Sequence, residues 1–212
     1  MSTRAPLVLM VMGVGAALIY WLWPHWPDAL GAATIKASAV ASFALYASAR
    51  VVDRDGWAIV AVMALGALGD LLIEWRLEAG AAVFAVGHVI ATRLYWHHRA
   101  ENGVRWPWLL VPACVGLTAW LTPDNGAALY ALFVSAMAVS ALNSRFARPI
   151  AGPGALLFLA SDLLIFARLG GRLPDAVAHL LIWPLYVIGQ ALICLGVTSA
   201  LNRRALRAQA SQ

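Results

Sequence analysis

Long apolar runs, separated by short polar breaks, follow one another along the whole chain. A helix needs about 20 residues to cross the hydrocarbon of a bilayer. Runs of roughly that length predict eight spans, at 5–23, 31–48, 56–75, 79–98, 106–122, 126–144, 151–169 and 177–200. The breaks carry turn residues, such as Asp53 to Gly56 and Pro123 to Gly126, and none is long enough for a second domain. The pattern predicts an all-α polytopic membrane protein: a single integral-membrane domain, 1–212, built as a bundle of eight transmembrane helices.

The composition supports a membrane protein and argues against a nucleic-acid-binding one. The 212 residues are 62% apolar and 12% charged, whereas soluble domains are about 45–50% apolar and about 25% charged. The net charge is +5, but the arginines fall between apolar runs and not in one stripe. Cys114 and Cys194 lie inside apolar runs, which favours buried small hydrophobes over a disulfide or a metal pair.

Arginine placement predicts the orientation, because cytoplasmic loops carry the excess of basic residues. The side that holds both termini and the 2–3, 4–5 and 6–7 loops has eleven: Arg4, Arg50, Arg54, Arg93, Arg99, Arg105, Arg145, Arg148, Arg203, Arg204 and Arg207. The other side has three: Arg76, Arg168 and Arg172. Both termini are therefore predicted to be cytoplasmic. The composition, rich in alanine and arginine and poor in lysine, favours a GC-rich bacterial genome and hence a bacterial inner (plasma) membrane.

Six of the predicted spans each carry one polar side chain at a similar depth. Counted along the helix axis from the non-cytoplasmic end, these depths are about 6–15 Å. The six are Lys36, Asp70, His88, Tyr130, Asp162 and Tyr186. Ionisable residues at membrane depth usually face a protein interior or a water-filled cavity. The sequence therefore predicts a polar pocket in the outer half of the membrane, open toward the outer leaflet.

Helical spacing places further residues on the faces that carry these groups. Glu74 follows Asp70 by one turn, Phe84 precedes His88, Phe158 and Ser161 precede Asp162, and Gln190 follows Tyr186. Small residues beside them, such as Gly69, Gly80 and Gly154, allow close helix packing.

Purely structural interpretations stand beside the functional ones. Glu74 fits a side chain snorkelling to the interface, and Lys36 fits an ion pair with Asp70 or Asp162. His88 fits a hydrogen-bonded core histidine. Ser161 is a poor candidate nucleophile, because adjacent helical residues point about 100° apart and no G-x-S-x-G context surrounds it.

These motifs resemble the YhhN family of multi-pass membrane proteins, whose characterised members are lysoplasmalogenases. The resemblance covers nearly the whole chain. It rests on Gly69-Asp70 in the third span, on Gly80, Phe84 and His88 in the fourth, and on Gly154-Ala155-x-x-Phe158-x-x-Ser161-Asp162 in the seventh. Weaker parallels are Lys36, Tyr130 with Met137, and Tyr186 with Gln190. Ala37 and Ala91 depart from the family, which often has a proline and a tyrosine there, so the fit of the substrate is expected to differ.

The resemblance implies hydrolysis of the vinyl-ether bond of a lysoplasmalogen, a lysophospholipid, to a fatty aldehyde and a glycerophospho-alcohol. The residues fit this acid chemistry, because two carboxylates in unlike surroundings can divide the acid and base roles. Asp70 and Asp162 are the expected pair, without an assignment of which is the acid, and His88 assists them. The expected substrate contacts are Lys36, Glu74, Phe84, Tyr130, Phe158, Ser161, Tyr186 and Gln190. No metal or cofactor is required, no nucleic acid is expected, and the remaining partners are membrane lipids.

Two alternatives remain open from the sequence. One is a hydrolase of another lyso- or ether lipid on the same scaffold. The other is a small proton-coupled transporter, since proton relays also use intramembrane Asp, His and Lys. The polar residues lie in one half of the membrane, and no inverted repeat is evident, which favours the hydrolase. The headgroup, the chain length and the oligomeric state do not follow from the sequence.

Overall fold

The structure, a computed structural model, describes residues 4–23, 26, 28–101, 103–146 and 150–211. Within these ranges the chain forms eight α-helices and no β-strand. They are α1 (Arg4–Leu22), α2 (Ala29–Ser48), α3 (Arg54–Leu72), α4 (Leu77–His97), α5 (Leu110–Leu121), α6 (Asn125–Leu142), α7 (Gly152–Leu169) and α8 (Asp175–Ala210). Arg148, which the orientation argument counts, lies outside the described ranges.

Aspartates in the predicted breaks start three of the helices, α2, α3 and α6. Asp53 Oδ1 accepts a hydrogen bond from the backbone N–H of Gly56 at 2.9 Å, before α3. Asp124 Oδ1 accepts one from Gly126 N–H at 2.8 Å, before α6. Each carboxylate satisfies a backbone donor that the first helical turn leaves without a partner. These polar breaks are confirmed as helix-start signals.

Seven of the eight helices are long and apolar enough to cross a membrane, and α5 is the exception. A 3₁₀ turn, Trp106–Leu109, precedes α5, and together they span only Trp106–Leu121. The helix stops because Pro123 disfavours helical backbone at the preceding residue, and Thr122 is extended (φ −140°, ψ 132°). The fifth predicted span, 106–122, is thus a shorter element that begins as a 3₁₀ turn.

Two other boundaries differ from the prediction. The sequence predicts that the last helix ends near residue 200, but the helix continues to Ala210, which makes it about 54 Å long. The apolar run ends there, but alanine, arginine and glutamine are good helix formers, so the backbone stays helical. At the other boundary α3 ends at Leu72, and Glu74 lies in the turn before α4.

The packing of the helices forms a closed ring. In chain order α2, α3, α4, α6, α7 and α8 each contact the next, and α8 returns to contact α2. Helix α1 packs outside the ring on α2 and α8, and α5 packs outside on α6 and α7. The outer position of α5 explains how a shorter helix fits this bundle.

Close backbone contact joins α7 to α8. A Cβ added at Gly189 would lie 2.8 Å from the carbonyl oxygen of Gly154, and one at Gly154 would lie 2.9 Å from that of Gly189. Only glycine allows this approach, as is common where membrane helices pack tightly. The predicted role of Gly154 in close packing is confirmed.

Apolar side chains face both inward and outward. Phe43, Met63 and Val134 are fully buried inside the bundle, whereas Val11 and Leu129 are more than half exposed on its outside. An apolar exterior around an apolar core is typical of a protein that lipid surrounds. Seven long apolar helices with an apolar exterior are the features of a multi-pass membrane protein.

Candidate active site

The interior of the ring collects one polar side chain from each of its six helices. They are Lys36 on α2, Asp70 on α3, His88 on α4, Tyr130 on α6, Asp162 on α7 and Tyr186 on α8. Four of them are buried, and Lys36 and Tyr130 are partly exposed. The sequence prediction that these side chains share one layer agrees with the contacts between them.

Asp70 is the centre of a first polar group. The Tyr186 hydroxyl donates to Asp70 Oδ2 at 2.6 Å, and Gln190 Nε2 donates to the Tyr186 oxygen at 3.3 Å. The ammonium of Lys36 lies 3.7 Å from Asp70 Oδ1 and 3.3 Å from Glu74 Oε1. Lys36 thus joins a buried carboxylate to a more exposed one.

Asp162 is the centre of a second polar group. The Tyr130 hydroxyl donates to Asp162 Oδ2 at 3.0 Å. The Tyr130 hydroxyl oxygen also lies 3.0 Å from His88 Nε2. A tyrosine hydroxyl has a single proton but can also accept. When Tyr130 donates to the Asp162 carboxylate, it accepts from His88 N–H. When Asp162 is protonated and donates, Tyr130 can donate to the bare nitrogen of His88.

The two aspartates therefore have different electrostatic surroundings. Both are almost fully buried, at 2% exposure for Asp70 and 5% for Asp162. Asp70 has the Lys36 cation beside it, whereas no basic side chain of the described residues lies within 4.0 Å of Asp162. A nearby cation favours the charged carboxylate, and burial without one favours the neutral acid.

Two phenylalanines lie between the polar groups. The Phe158 ring is 5.3 Å from the ring of Tyr186 and 5.2 Å from that of His88, measured between centroids. The Phe84 ring is 6.0 Å from Tyr186 and 6.3 Å from Phe158. The aspartates thus share an interior in which aromatic rings separate their hydrogen-bonded partners.

Glycines on α3 bring this helix close to the site. A Cβ at Gly69 would lie 2.6 Å from the Phe84 ring, and one at Gly66 would lie 2.9 Å from Gln190 Nε2. These distances are shorter than van der Waals contact. Glycine at positions 66 and 69 therefore allows α3 to pack closely against Phe84 and Gln190.

The site is more enclosed than the sequence predicts. The cavity beside His88 and Gln190 has a volume of only about 20 Å³. A larger, open groove of about 400 Å³ runs along the first half of α2 and is lined by residues such as Gly31, Thr34 and Ser38. The site reaches the surface through Lys36 and Glu74, whose side chains are 15% and 27% exposed. Aromatic side chains occupy much of the interior in which the sequence predicts a polar pocket open toward the outer leaflet.

The YhhN family model matches residues 31–197. The chain belongs to the YhhN family. The match begins in α2 and ends in α8, so it takes in every helix of the ring and all six interior polar residues. No curated protein and no solved structure matches the chain.

One residue expected at the YhhN-family site, Ser161, uses its hydroxyl in a hydrogen bond within its own helix. The Ser161 hydroxyl donates to the carbonyl of Phe158 at 2.7 Å, one turn back on its own helix. This bond follows from the tendency of buried serine to satisfy itself on the preceding turn. A contact between Ser161 and substrate stays a prediction.

Two aromatic residues near the site were not predicted from the sequence. Tyr20 on α1 packs against Trp183, with ring centroids 4.6 Å apart, and Trp183 Nε1 donates to the carbonyl of Ala17 at 2.9 Å. Tyr95 on α4 lines the cavity beside His88. Its position continues the helical spacing of Phe84, His88 and Ala91, so an extended face on α4 is the signal that could have found it.

A cluster of side chains of the types that can bind a metal lies elsewhere in the described part of the chain. Asp55, His97 and His98 place their ligating atoms within 4.8 Å of one another. Asp55 Oδ2 and His98 Nε2 are 2.6 Å apart, which ties the start of α3 to the end of α4. This pairing gives His98 a structural role at the opposite end of α3 from Asp70.

Proposed function

We propose that the chain is a membrane-embedded lipid hydrolase that cleaves the vinyl-ether bond of lysoplasmalogens. The products would be a fatty aldehyde and a glycerophospho-alcohol. The observation that carries the proposal is the pair of buried aspartates: Asp70 has Lys36 beside it, and Asp162, among the described residues, has no lysine beside it. Membership of the YhhN family is consistent with a hydrolase.

The proposed reaction consumes one water and no oxidant. A proton adds to the alkenyl carbon distant from the ether oxygen, and the double-bond electrons form the new C–H bond. The neighbouring carbon and the ether oxygen then share the positive charge of an oxocarbenium ion. Water adds to that carbon and loses a proton. The hemiacetal that results collapses to the aldehyde and the free glycerol hydroxyl.

Asp162 fits the acid. It is buried and has no basic neighbour within 4.0 Å among the described residues, so its neutral form is favoured. Tyr130 connects it to His88 through two hydrogen bonds of 3.0 Å. After Asp162 gives its proton to the substrate, this chain can restore it. Tyr130 and His88 thus position and recharge the acid, as general acid catalysis requires.

Asp70 fits the anion that stabilises the cationic intermediate and then helps water to add. The Lys36 ammonium and the Tyr186 hydroxyl both favour its charged form. Two carboxyl groups with divided roles are the pattern of glycosidases, which also pass through oxocarbenium-like states. Tyr186 and Gln190 would orient the water or the glycerol hydroxyl.

The remaining residues fit the lipid. Lys36 and Glu74 are the exposed end of the first polar group, so Lys36 is suited to meet the substrate phosphate while it holds Asp70 charged. Phe84 and Phe158 would contact the alkenyl group. Their ring faces attract positive charge and would favour the developing cation.

The proposed location is a bacterial inner membrane, with the single domain crossing it, both termini in the cytoplasm and the site in the outer half. Arginine supports this orientation: Arg203, Arg204 and Arg207 are grouped on the end of α8. Membrane lipids would surround the bundle and deliver the substrate within the bilayer.

Aldehyde release tests the proposed function. Purified protein in detergent is given a lysoplasmalogen, and free fatty aldehyde is followed for wild type, Asp70→Asn and Asp162→Asn. We expect aldehyde from the wild type and from neither variant. Asp175→Asn is the matched control, because this aspartate is exposed and pairs with Arg168 at the start of α8. Absence of aldehyde from folded wild-type protein would contradict the proposal.

A further inference from the structure

A cluster of three side chains joins α3 to α4 at the end of the ring opposite to Asp70. Asp55 lies in the first turn of α3, His97 is the last residue of α4, and His98 is the C-cap of α4. One ligating atom from each side chain lies within 4.8 Å of the other two. Asp55 is about 22 Å from Asp70 along the helix axis, so the cluster is separate from the proposed active site.

The residue types in this cluster fit a divalent transition-metal ion. Two imidazoles and one carboxylate are typical ligands of Zn²⁺ and of its neighbours in the first transition row. Mg²⁺ and Ca²⁺ are disfavoured, because they take oxygen ligands. His97 is exposed and Asp55 is partly exposed, so an ion has a path to the cluster from outside the bundle.

The distances fit an ion after a small movement of the side chains. Zinc–ligand bonds of about 2.0–2.2 Å place the ligand atoms of a tetrahedral site about 3.3–3.6 Å apart. Asp55 Oδ2 and His98 Nε2 are 2.6 Å apart and share a hydrogen bond, so this pair would open by about 1 Å to admit the ion. His97 would move inward by at most about 1.5 Å, which its exposed side chain allows.

Contacts that need no metal hold the cluster in place. The carbonyl of His98 accepts a hydrogen bond from Arg145 N–H at 2.8 Å, and the His98 ring lies 4.8 Å from the ring of Phe146. At the start of α3, the Asp53 carboxylate accepts a hydrogen bond from Gly56 N–H. Ligands that are positioned in advance lose less conformational entropy when they bind an ion.

The charges around the cluster leave the Asp55 carboxylate accessible to a cation. In the part of the chain that the structure describes, His98 is the only basic side chain with a nitrogen within 4.0 Å of this carboxylate. Arg145, whose backbone contacts His98, directs its guanidinium to Glu101 at 3.1 Å. The carboxylate therefore has an imidazole as its partner and no arginine that an ion would have to displace.

We propose that Asp55, His97 and His98 form a binding site for one divalent transition-metal ion, such as Zn²⁺. The ion takes the place of the hydrogen bond between Asp55 and His98 and adds His97 as the third ligand, with water in the fourth position. Bound there, it joins the start of α3 to the end of α4 and stabilises the folded protein. The proposal does not depend on lipid hydrolysis, because the cluster shares no residue with the proposed active site.

Zinc binding to the purified protein tests the site. Full-length protein without a histidine tag is treated with a chelator in detergent and titrated with Zn²⁺ by calorimetry, and elemental analysis counts the bound metal. We expect about one zinc ion per chain and a thermal midpoint that is several degrees higher at saturating zinc. Absence of bound zinc, or an unchanged midpoint at saturating zinc, would overturn the proposal.

His97→Asn distinguishes this site from unspecific binding to the surface. Because His97 is exposed, the variant should keep the metal-free midpoint of the wild type. We expect its zinc affinity to fall at least tenfold and the zinc-dependent rise in midpoint to disappear. His179→Asn is the matched control, since His179 is also an exposed helical histidine but lies outside the cluster. Equal affinity in wild type and His97→Asn would mean an adventitious ion only and would overturn the site.

Asp55→Asn tests the carboxylate ligand. The amide oxygen can still accept the hydrogen bond from His98, so the link between α3 and α4 is kept. The negative charge that favours a cation is lost, and we expect zinc affinity to fall at least tenfold. Unchanged affinity in this variant would contradict the proposed ligand set. None of these measurements uses a lipid, so they give a result whether or not the protein hydrolyses lysoplasmalogens.

Discussion

The Lys36 ammonium lies 3.7 Å from Asp70 Oδ1. Among the described residues, the other buried aspartate, Asp162, has no basic side chain within 4.0 Å. Asp162 has the Tyr130 hydroxyl in place of a cation. Because the surroundings differ, the two carboxyl groups are suited to opposite protonation states. The proposed division of labour, with Asp162 as the acid and Asp70 as the anion, rests on this difference.

Removal of Lys36 should leave Asp70 as an unpaired buried charge. Breaking one partner of a buried ion pair costs about 3–5 kcal/mol, so Lys36→Met should lower the thermal midpoint and abolish aldehyde release. Asp70→Asn added to Lys36→Met removes the unpaired charge. The double variant should therefore recover stability without recovering activity, as thermal unfolding and aldehyde assays in parallel would measure. Additive losses of stability would contradict the coupling between these side chains.

Tyr130 should matter through its hydroxyl alone. Tyr130→Phe keeps the ring, which packs against Phe166 at 5.9 Å, but removes the connection from His88 to Asp162. General acid–base steps contribute on the order of 10²–10⁴ in rate, and we expect kcat to fall by about 10²-fold with little change in KM. Tyr46→Phe serves as the control with the same chemical change. Full kcat in Tyr130→Phe would exclude the proposed recharging of Asp162.

Contact between α7 and α8 should tolerate no side chain at Gly189. In Gly189→Ala the new Cβ would meet Gly154 O at 2.8 Å and Phe158 N at 2.9 Å, both backbone atoms that cannot move away cheaply. Overpacking of this kind costs about 1–3 kcal/mol. Gly15→Ala is the control, because its Cβ meets nothing within 4 Å. Thermal unfolding should show a loss for Gly189→Ala only, and equal midpoints would contradict the close packing.

Orientation can be checked with single added cysteines. Cys114 and Cys194 are 6% and 0% exposed, so the native thiols give a low background. A membrane-impermeant maleimide on spheroplasts should label Asn125→Cys, at the start of α6, and should label Ser211→Cys only after lysis. The reverse pattern would contradict cytoplasmic termini and a site in the outer half.

The sequence predicts much of the candidate site because polar side chains are costly inside an apolar membrane span and are therefore rare there. Six polar side chains in apolar spans stand out, and all six meet inside the ring. The bundle also follows from the apolar runs, and Asp53 and Asp124 mark helix starts as their types suggest.

Other features depend on distances that no single-sequence pattern contains. The separation into an Asp70 group and an Asp162 group depends on how each helix is rotated about its axis. Gly69 and Gly154 make close contacts with other helices that fix how these helices pack. The 3₁₀ start of the fifth element and the extension of α8 reflect backbone preferences, not hydropathy. Tyr95 was missed because a tyrosine in an apolar run has the appearance of ordinary core.

Hydrolysis in deuterated water tests the central claim, protonation of the alkenyl carbon by Asp162, most directly. The proposed reaction places one solvent hydron on the carbon next to the aldehyde. Wild-type protein and a lysoplasmalogen are incubated in D₂O, the aldehyde is reduced at once to trap it, and mass spectrometry counts the deuterium. We predict one deuterium at that carbon with wild type, and no product with Asp162→Asn. Aldehyde without deuterium at that carbon, or labelled aldehyde at the full rate from Asp162→Asn, would contradict the mechanism.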